Sequence, residues 1–185
     1  MRGQHRRGSI RPGLPDDVAN DESAARRGPV YVADRLVFLD IDGVIAPYDA
    51  GDELDPGCIA RLNRMVGEGR AEVVIISSWR EVQPLAGIEA ALRACGFTGK
   101  IAGATPVMAS ASRSTEVLAY LRSVPAHAGF VILDDALPYE ASLASRAVRV
   151  AADVGLQDAD VDEALRILGV PRNDPAPAKA SRRRR

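Results

Sequence analysis

The sequence contains few of the residues that build disulfide, zinc-thiolate or histidine-based sites. Its 185 residues include only two cysteines, Cys58 and Cys95, and two histidines, His5 and His127. Two cysteines cannot form a disulfide framework or a Cys-only zinc site. The scarcity of histidine argues against a histidine-rich metal site and against most nucleophile–histidine pairs. Carboxylate side chains therefore remain as the expected source of chemistry.

Long apolar runs are also missing. No stretch reaches the roughly 18 consecutive apolar residues of a membrane span, although 46% of the residues are hydrophobic. The length suits one domain with terminal tails, and the hydrophobic fraction suits a buried core. Unpaired cysteines and the lack of an apolar leader predict a cytoplasmic protein that does not associate with membranes.

The charge is unevenly distributed, although the net charge is only −1. Residues 31–170 carry 12 basic and 20 acidic side chains, whereas residues 171–185 carry a net charge of +5. An acidic core suits a divalent cation better than a polyanion. Composition predicts that 1–33 and 171–185 are disordered, with one folded domain over 34–170. Contact of the basic tail with nucleic acid is the alternative to a solvated end.

Short apolar runs alternate with amphipathic stretches between the two tails. This alternation predicts an α/β fold with a mainly parallel, five-stranded sheet that helices cover on both faces. We expect the first strand to be central and the fourth strand to lie beside it. The predicted strands are 36–39, 72–76, 98–102, 130–133 and 146–150, and the predicted helices are 56–69, 81–95, 113–124 and 158–168.

Three of the predicted strands lead into the polar residues Asp40, Ser77 and Asp134. In open α/β sheets, ligands bind beyond the carboxyl ends of the strands, so these side chains should meet at one edge of the sheet. Two carboxylates as close as Asp40 and Asp42 repel each other unless a cation or a proton intervenes. Solvated loop aspartates would explain Asp42, but not a carboxylate at the end of a buried strand.

Two further features support a cation site at this edge. Gly43 permits a turn directly after the first acidic pair. The second pair, Asp134-Asp135, offers the hard oxygen ligands that Mg²⁺ prefers. A solvated turn or a helix cap is the simpler interpretation of the second pair when it is considered alone.

These motifs together resemble the haloacid dehalogenase (HAD) superfamily over residues 34–170. The resemblance rests on Asp-x-Asp-Gly-Val at 40–44, the serine after the second strand and the late Asp-Asp. The segments SSWR (77–80), ATP (104–106) and DDALP (134–138), with a helix from Arg113, more narrowly resemble the HAD domain of fused RNA-repair proteins. The resemblance implies a three-layer, Rossmann-like α/β/α fold and a magnesium-dependent phosphatase.

The resemblance also implies roles for the carboxylates. Asp40 is the expected nucleophile, which forms an aspartyl-phosphate. Asp42 is the expected general acid for the leaving group and then the base for the hydrolytic water. Mg²⁺ is expected to bind the Asp40 carboxylate, the Asp42 backbone carbonyl and Asp134, with Asp135 as a further or water-bridged ligand.

The phosphate-binding residues are predicted in the same way. They are Ser77, with Ser78 as its substitute, Gly43, Arg113 and Lys100. The basic residue departs from the simplest family pattern, because no lysine lies between Lys100 and Asp134. Arg113 at a helix start is the first candidate, Lys100 before a short strand is the second, and Arg80 is also within reach. A solvated helix arginine is the alternative interpretation of Arg113.

The spacing leaves no room for a cap domain in 43–76 or 78–112, so we expect an open site beneath a flap around 44–55. An open site suits bulky phosphomonoesters, including a nucleotide or a polynucleotide end as substrate. Trp79 either stacks on a base or sugar or packs over the sheet edge, and Tyr48 is expected near the entrance. The sequence does not indicate a protein partner.

Two other functions stay open at this point. One is a noncatalytic module that binds phosphate or magnesium, because the basic residue departs from the simplest family pattern. The other is a phosphorylation-dependent receiver domain, which also uses aspartates on an α/β sheet. A receiver has an acidic pair at the end of its first strand, a single Asp at the end of a later strand and a lysine after a late strand. This chain has Asp-x-Asp first and Asp-Asp late, and it has no lysine between 101 and 178.

Overall fold

A computed structural model describes residues 35–51, 53–124, 129–136 and 138–171. The segments predicted to be disordered, 1–33 and 171–185, lie outside the described residues except for Pro171. The domain boundaries therefore stay predictions.

The described residues form the expected α/β fold. Five parallel strands make one sheet in the order β3-β2-β1-β4-β5, so the first strand is central and the fourth is its neighbour, as predicted. The strands are β1 (Arg35–Leu39), β2 (Ala71–Ile75), β3 (Ile101–Ala104), β4 (Gly129–Asp134) and β5 (Ala147–Arg149).

Helices cover both faces of this sheet. The described helices are α1 (Pro56–Gly69), α2 (Trp79–Val82), α3 (Leu85–Ala94), α4 (Arg113–Ser123), α5 (Ala141–Ala144) and α6 (Asp158–Ile167). Val37 and Leu39 of β1 pack in one core cluster with residues of α1, α3 and α6. Phe38 faces the opposite cluster, which includes Val117 of α4. Because alternate residues of a strand point to opposite faces, the central strand is apolar on both sides.

Local sequence signals explain most of the helix boundaries. Asp55 caps α1 by accepting a hydrogen bond from the Cys58 amide at 2.7 Å, and Pro56 occupies the first helical position. The predicted helix 81–95 is instead the two helices α2 and α3, which meet at Pro84. Proline has no amide hydrogen and disfavours helical backbone before it, so it separates them. Helix α5 was not predicted.

The predicted third strand is displaced along the chain. It occupies Ile101–Ala104 and not 98–102, and its register begins with Val73 opposite Ile101. The connection from β2 to β3 is therefore longer than predicted. No described helix is long and apolar enough to cross a membrane.

Candidate active site

Asp40 and Asp134 meet at the carboxyl ends of the two neighbouring central strands. Asp40 follows β1 directly, and its amide donates to the Leu133 carbonyl of β4 at 3.0 Å. Asp134 is the last residue of β4. Their relative exposures are only 3% and 0%, so both carboxyl groups are removed from bulk water. Parallel strands in register thus bring together two acids that lie far apart in the sequence.

Arg113 joins the two carboxylates. Its Nη1 atom donates to Oδ2 of Asp40 and, at 2.7 Å, to Oδ2 of Asp134. The side chain reaches them from the first residue of α4, which is capped by Ser112. Burial raises the pKa of Asp40 above its ordinary value; the guanidinium opposes this shift, and the carboxylate of Asp134 adds to it. Of the three basic candidates, Arg113 is the one that the fold brings to the acidic pair.

Asp135 completes a cluster of three carboxylates with Asp40 and Asp134. One oxygen from each lies within 4.8 Å of the others. Arg113 supplies a single positive charge against these three negative groups, so further positive charge would stabilise the cluster. Carboxylate oxygens are hard ligands, and this donor set fits a cation such as Mg²⁺.

Residues next to the three-carboxylate cluster donate hydrogen bonds to it. The Ala136 amide donates to Oδ1 of Asp134 at 2.7 Å, and the Tyr139 hydroxyl donates to Oδ2 of the same residue. The Tyr48 hydroxyl donates to Oδ2 of Asp135 at 3.3 Å. Burial, followed by the charge of Asp134, raises the pKa of Tyr139, so its phenol stays a neutral donor at neutral pH.

Tyr139 was not identified from the sequence. It lies five residues after Asp134, beyond a proline-containing segment, and alternating patterns do not indicate which way such a segment returns. A tyrosine shortly after a buried strand-end carboxylate was the only available signal.

Gly43 serves the backbone turn between Asp42 and the rest of the loop. Its φ angle is +71°, and its amide donates to the Ala46 carbonyl at 2.8 Å. A Cβ atom at this position would lie 2.8 Å from Cγ of Asp135. Glycine is therefore required both by the backbone and by the space beside the cluster. The contact of Gly43 with a phosphoryl group stays a prediction.

The side chain of Asp42 points to a different partner. Its Oδ1 atom accepts a hydrogen bond from Nε1 of Trp79 at 2.9 Å, and it is not part of the three-carboxylate cluster. The Trp79 ring also packs against the apolar core. Of the two roles predicted for Trp79, packing is the one that this contact supports. Its hydrogen bond to Asp42 was not predicted. The proposed ligation by the Asp42 backbone carbonyl stays a prediction.

Ser77 and Ser78 follow β2 at the same edge of the sheet. Ser77 is fully buried, and its Oγ atom accepts from the Trp79 amide at 3.3 Å. Ser78 is exposed and lines an open cavity of about 340 Å³, which Arg113 also lines. Their contacts with a phosphoryl group stay predictions.

The other two basic candidates pair with acids outside the cluster, although Arg80 lines the same open cavity as Arg113. Lys100 precedes β3, so it lies towards the amino end of the sheet, where its Nζ atom pairs with Glu72 at 2.7 Å. Arg80 is buried in an ion pair with Glu116, with relative side-chain exposures of 6% and 8%. Its guanidinium also donates to the carbonyls of Ser77, at 2.6 Å, and Thr105, at 3.2 Å. Arg80 therefore links the segments that follow β2 and β3 to helix α4.

The comparisons agree with this geometry. Residues 36–161 match the family described as the HAD domain in Swiss Army Knife RNA repair proteins. The matched region includes every residue of the acidic cluster and Arg113. Comparisons with curated proteins and with solved structures gave no significant match.

Proposed function

The chain belongs to this HAD domain family, and we propose that it is a magnesium-dependent phosphohydrolase that acts on a phosphomonoester through an aspartyl-phosphate. The observation that carries the proposal is the contact of Arg113 with both Asp40 and Asp134. It supports a site at one edge of the sheet in which Asp40 would be the nucleophile, Asp134 a second acid and Arg113 the cation that binds phosphate. Asp42 lies two residues beyond the nucleophile, as a general acid requires in this family.

The cation is proposed to bind the carboxylates of Asp40, Asp134 and Asp135. When bound, Mg²⁺ supplies positive charge that lets an anionic nucleophile approach an anionic phosphoryl group. Arg113 contributes a fixed positive charge on the same side. The Arg113 side chain is one-third exposed, so it is open to a substrate as well as to the two aspartates.

The first half-reaction transfers the phosphoryl group to the protein. An Asp40 carboxylate oxygen attacks phosphorus, and the bond between phosphorus and the leaving oxygen breaks. Asp42 gives its proton to that oxygen, so the product leaves as an alcohol and Asp42 becomes a carboxylate.

The second half-reaction restores the protein. The Asp42 carboxylate takes a proton from a water molecule whose oxygen attacks the same phosphorus. The bond between phosphorus and Asp40 then breaks, and inorganic phosphate leaves. Asp40 is again a carboxylate and Asp42 is again protonated, so the cycle is closed.

The open cavity supports a substrate whose alcohol portion is bulky. It begins at Ser78 and Arg113 and is bounded by the exposed side chains of Val107 and Met108. Between Asp42 and α4 the described residues form α1, β2, α2, α3 and β3, which belong to the sheet and its covering helices, and they include no separate cap domain. A nucleotide or a polynucleotide end is the substrate that we propose to test first. The acidic balance of residues 31–170 favours recognition of the terminal group over a long phosphate backbone.

Hydrolysis of 4-nitrophenyl phosphate tests the reaction class. We expect turnover by the metal-stripped protein only after Mg²⁺ is added, and its loss when the ion is chelated. Ca²⁺ is the matched ionic control, because it prefers more ligands and longer bonds and should not support the same rate. Nucleotides and oligonucleotides phosphorylated at the 3′ or 5′ end then follow as substrates.

Thermal unfolding separates binding from turnover in the same samples. Mg²⁺ at about 100 times its Kd should stabilise the fold by about 2.7 kcal/mol. A folded protein that Mg²⁺ stabilises but that hydrolyses none of these compounds would contradict the proposal and favour a noncatalytic binding module. Turnover that chelation does not affect would contradict the metal dependence.

A further inference from the structure

We propose that Trp79 is a positioning residue for Asp42, because its indole N–H holds one carboxyl oxygen and leaves the other to carry the catalytic proton. The inference rests on the proposed function and extends it to a residue outside the acidic cluster. The contact that carries it joins Nε1 of Trp79 to Oδ1 of Asp42 at 2.9 Å.

The chemistry of indole determines which oxygen is left for the proton. The indole nitrogen has a hydrogen to donate and cannot accept one. Oδ1 of Asp42 must therefore present a lone pair to it, as the carbonyl oxygen of a protonated carboxyl does. The proton of the acid form is then carried by Oδ2, which is the atom that we expect to serve the leaving oxygen.

Asp42 depends on this single contact. Within the part of the chain that the structure describes, no other group donates a hydrogen bond to its carboxylate. Asp40, by contrast, is held by the Ile41 amide at 2.8 Å and by Arg113. Asp42 is also partly exposed, so without Trp79 its side chain is free to adopt other rotamers.

Trp79 itself is firmly held, as a positioning residue must be. Its ring packs against the core, and its amide donates to Oγ of Ser77. Helix α2 has only four residues and gives little rigidity of its own. The next residue, Arg80, anchors it through the buried ion pair with Glu116 and through the carbonyls of Ile76 and Ser77.

A positioning role predicts a dependence on the leaving group. 4-Nitrophenolate leaves readily without a proton, whereas an alkoxide leaves only when it is protonated. Removing the indole N–H should therefore lower kcat for an alkyl phosphate by about tenfold to a hundredfold. For 4-nitrophenyl phosphate the loss in the first half-reaction should be much smaller. Single-turnover rates of phosphoryl transfer measure that step for both substrates.

The sequence allows an unusually clean substitution, because Trp79 is its only tryptophan. Biosynthetic replacement of tryptophan by benzothienylalanine exchanges the N–H for sulfur at this one position and keeps the bicyclic ring. Trp79→Phe provides a second variant without the donor. Equal losses for alkyl and aryl phosphates in folded protein would overturn the proposal, because a merely structural role affects both substrates alike.

Tryptophan fluorescence tests the contact without any activity. We expect Asp42→Ala to change the emission spectrum of Trp79, because the indole loses its carboxylate partner. Asp49→Ala, which removes an exposed carboxylate that has no hydrogen bond to Trp79, is the matched control and should leave the spectrum unchanged. Emission that Asp42→Ala does not alter would overturn the inference even in an active phosphatase. Altered emission in a protein without hydrolysis would instead locate the failure in the proposed function.

Discussion

Replacing Asp40 with asparagine is expected to lower kcat for 4-nitrophenyl phosphate by about 10⁴-fold or more, as removal of a covalent nucleophile does in other enzymes. The amide nitrogen and oxygen of asparagine do not attack phosphorus at a useful rate. Steady-state hydrolysis at saturating Mg²⁺ measures the loss. Asp162→Asn is the matched control, because it makes the same change on the exposed surface of α6 and should keep full activity.

The structure indicates that Asp40→Asn will fold. The amide oxygen of asparagine can accept the hydrogen bond that Asp40 now accepts from the Ile41 amide. Burial raises the pKa of Asp40, which means that the charged form is less favoured here than in water and that its replacement by a neutral amide costs less. The melting temperature of the variant should therefore stay near that of the wild type. Full activity in this variant would identify another group as the nucleophile.

Replacing Arg113 with alanine is expected to lower kcat by about 10²- to 10³-fold, the usual cost of removing one group that stabilises a transition-state anion. Arg113 contacts the Asp40 and Asp134 carboxylates and is partly exposed, so its charge is available to the transferring phosphoryl group. Arg166→Ala is the control, because Arg166 is an exposed arginine of α6 that pairs with Glu163 on the same helix. Hydrolysis of 4-nitrophenyl phosphate by both variants gives the comparison.

Stabilisation by Mg²⁺ shows whether Arg113→Ala acts on catalysis or on the whole site. The substitution removes a positive charge beside the carboxylates, so it should not weaken binding of a cation. We therefore expect a melting temperature that still rises with Mg²⁺. Unchanged kcat in Arg113→Ala would mean that the guanidinium is only a counter-ion for two buried acids.

Strand-end reasoning located the acidic site from the sequence. Asp40 and Asp134 were recognisable because each follows or ends a short apolar run, and parallel strands place such ends at one edge of the sheet. The turn at Gly43 was also predictable. The closeness of Gly43 to the Asp135 side chain, which leaves no space for a larger residue, was not.

The basic residues show where sequence reasoning stops. Lys100 is a candidate from the sequence because it precedes a short strand; in the fold that position lies towards the amino end of β3, where the lysine pairs with Glu72. Arg80 follows Ser77 closely, but its partner Glu116 lies 36 positions away on α4. Side-chain direction across such distances depends on tertiary packing, which local patterns do not record. The same reason hid the contact of Trp79 with Asp42.

The measurement that tests the central claim most directly is a search for phosphate on Asp40. Asp42→Asn, given 4-nitrophenyl phosphate and Mg²⁺, should still transfer the phosphoryl group, because this leaving group needs little protonation. It lacks the base for the second half-reaction, so the phosphorylated protein should accumulate. Mass spectrometry of quenched samples is expected to find one added phosphoryl group on the peptide that contains Asp40, and none in the double variant that also carries Asp40→Asn. An active wild type whose Asp42→Asn variant never carries phosphate on Asp40 would contradict the account.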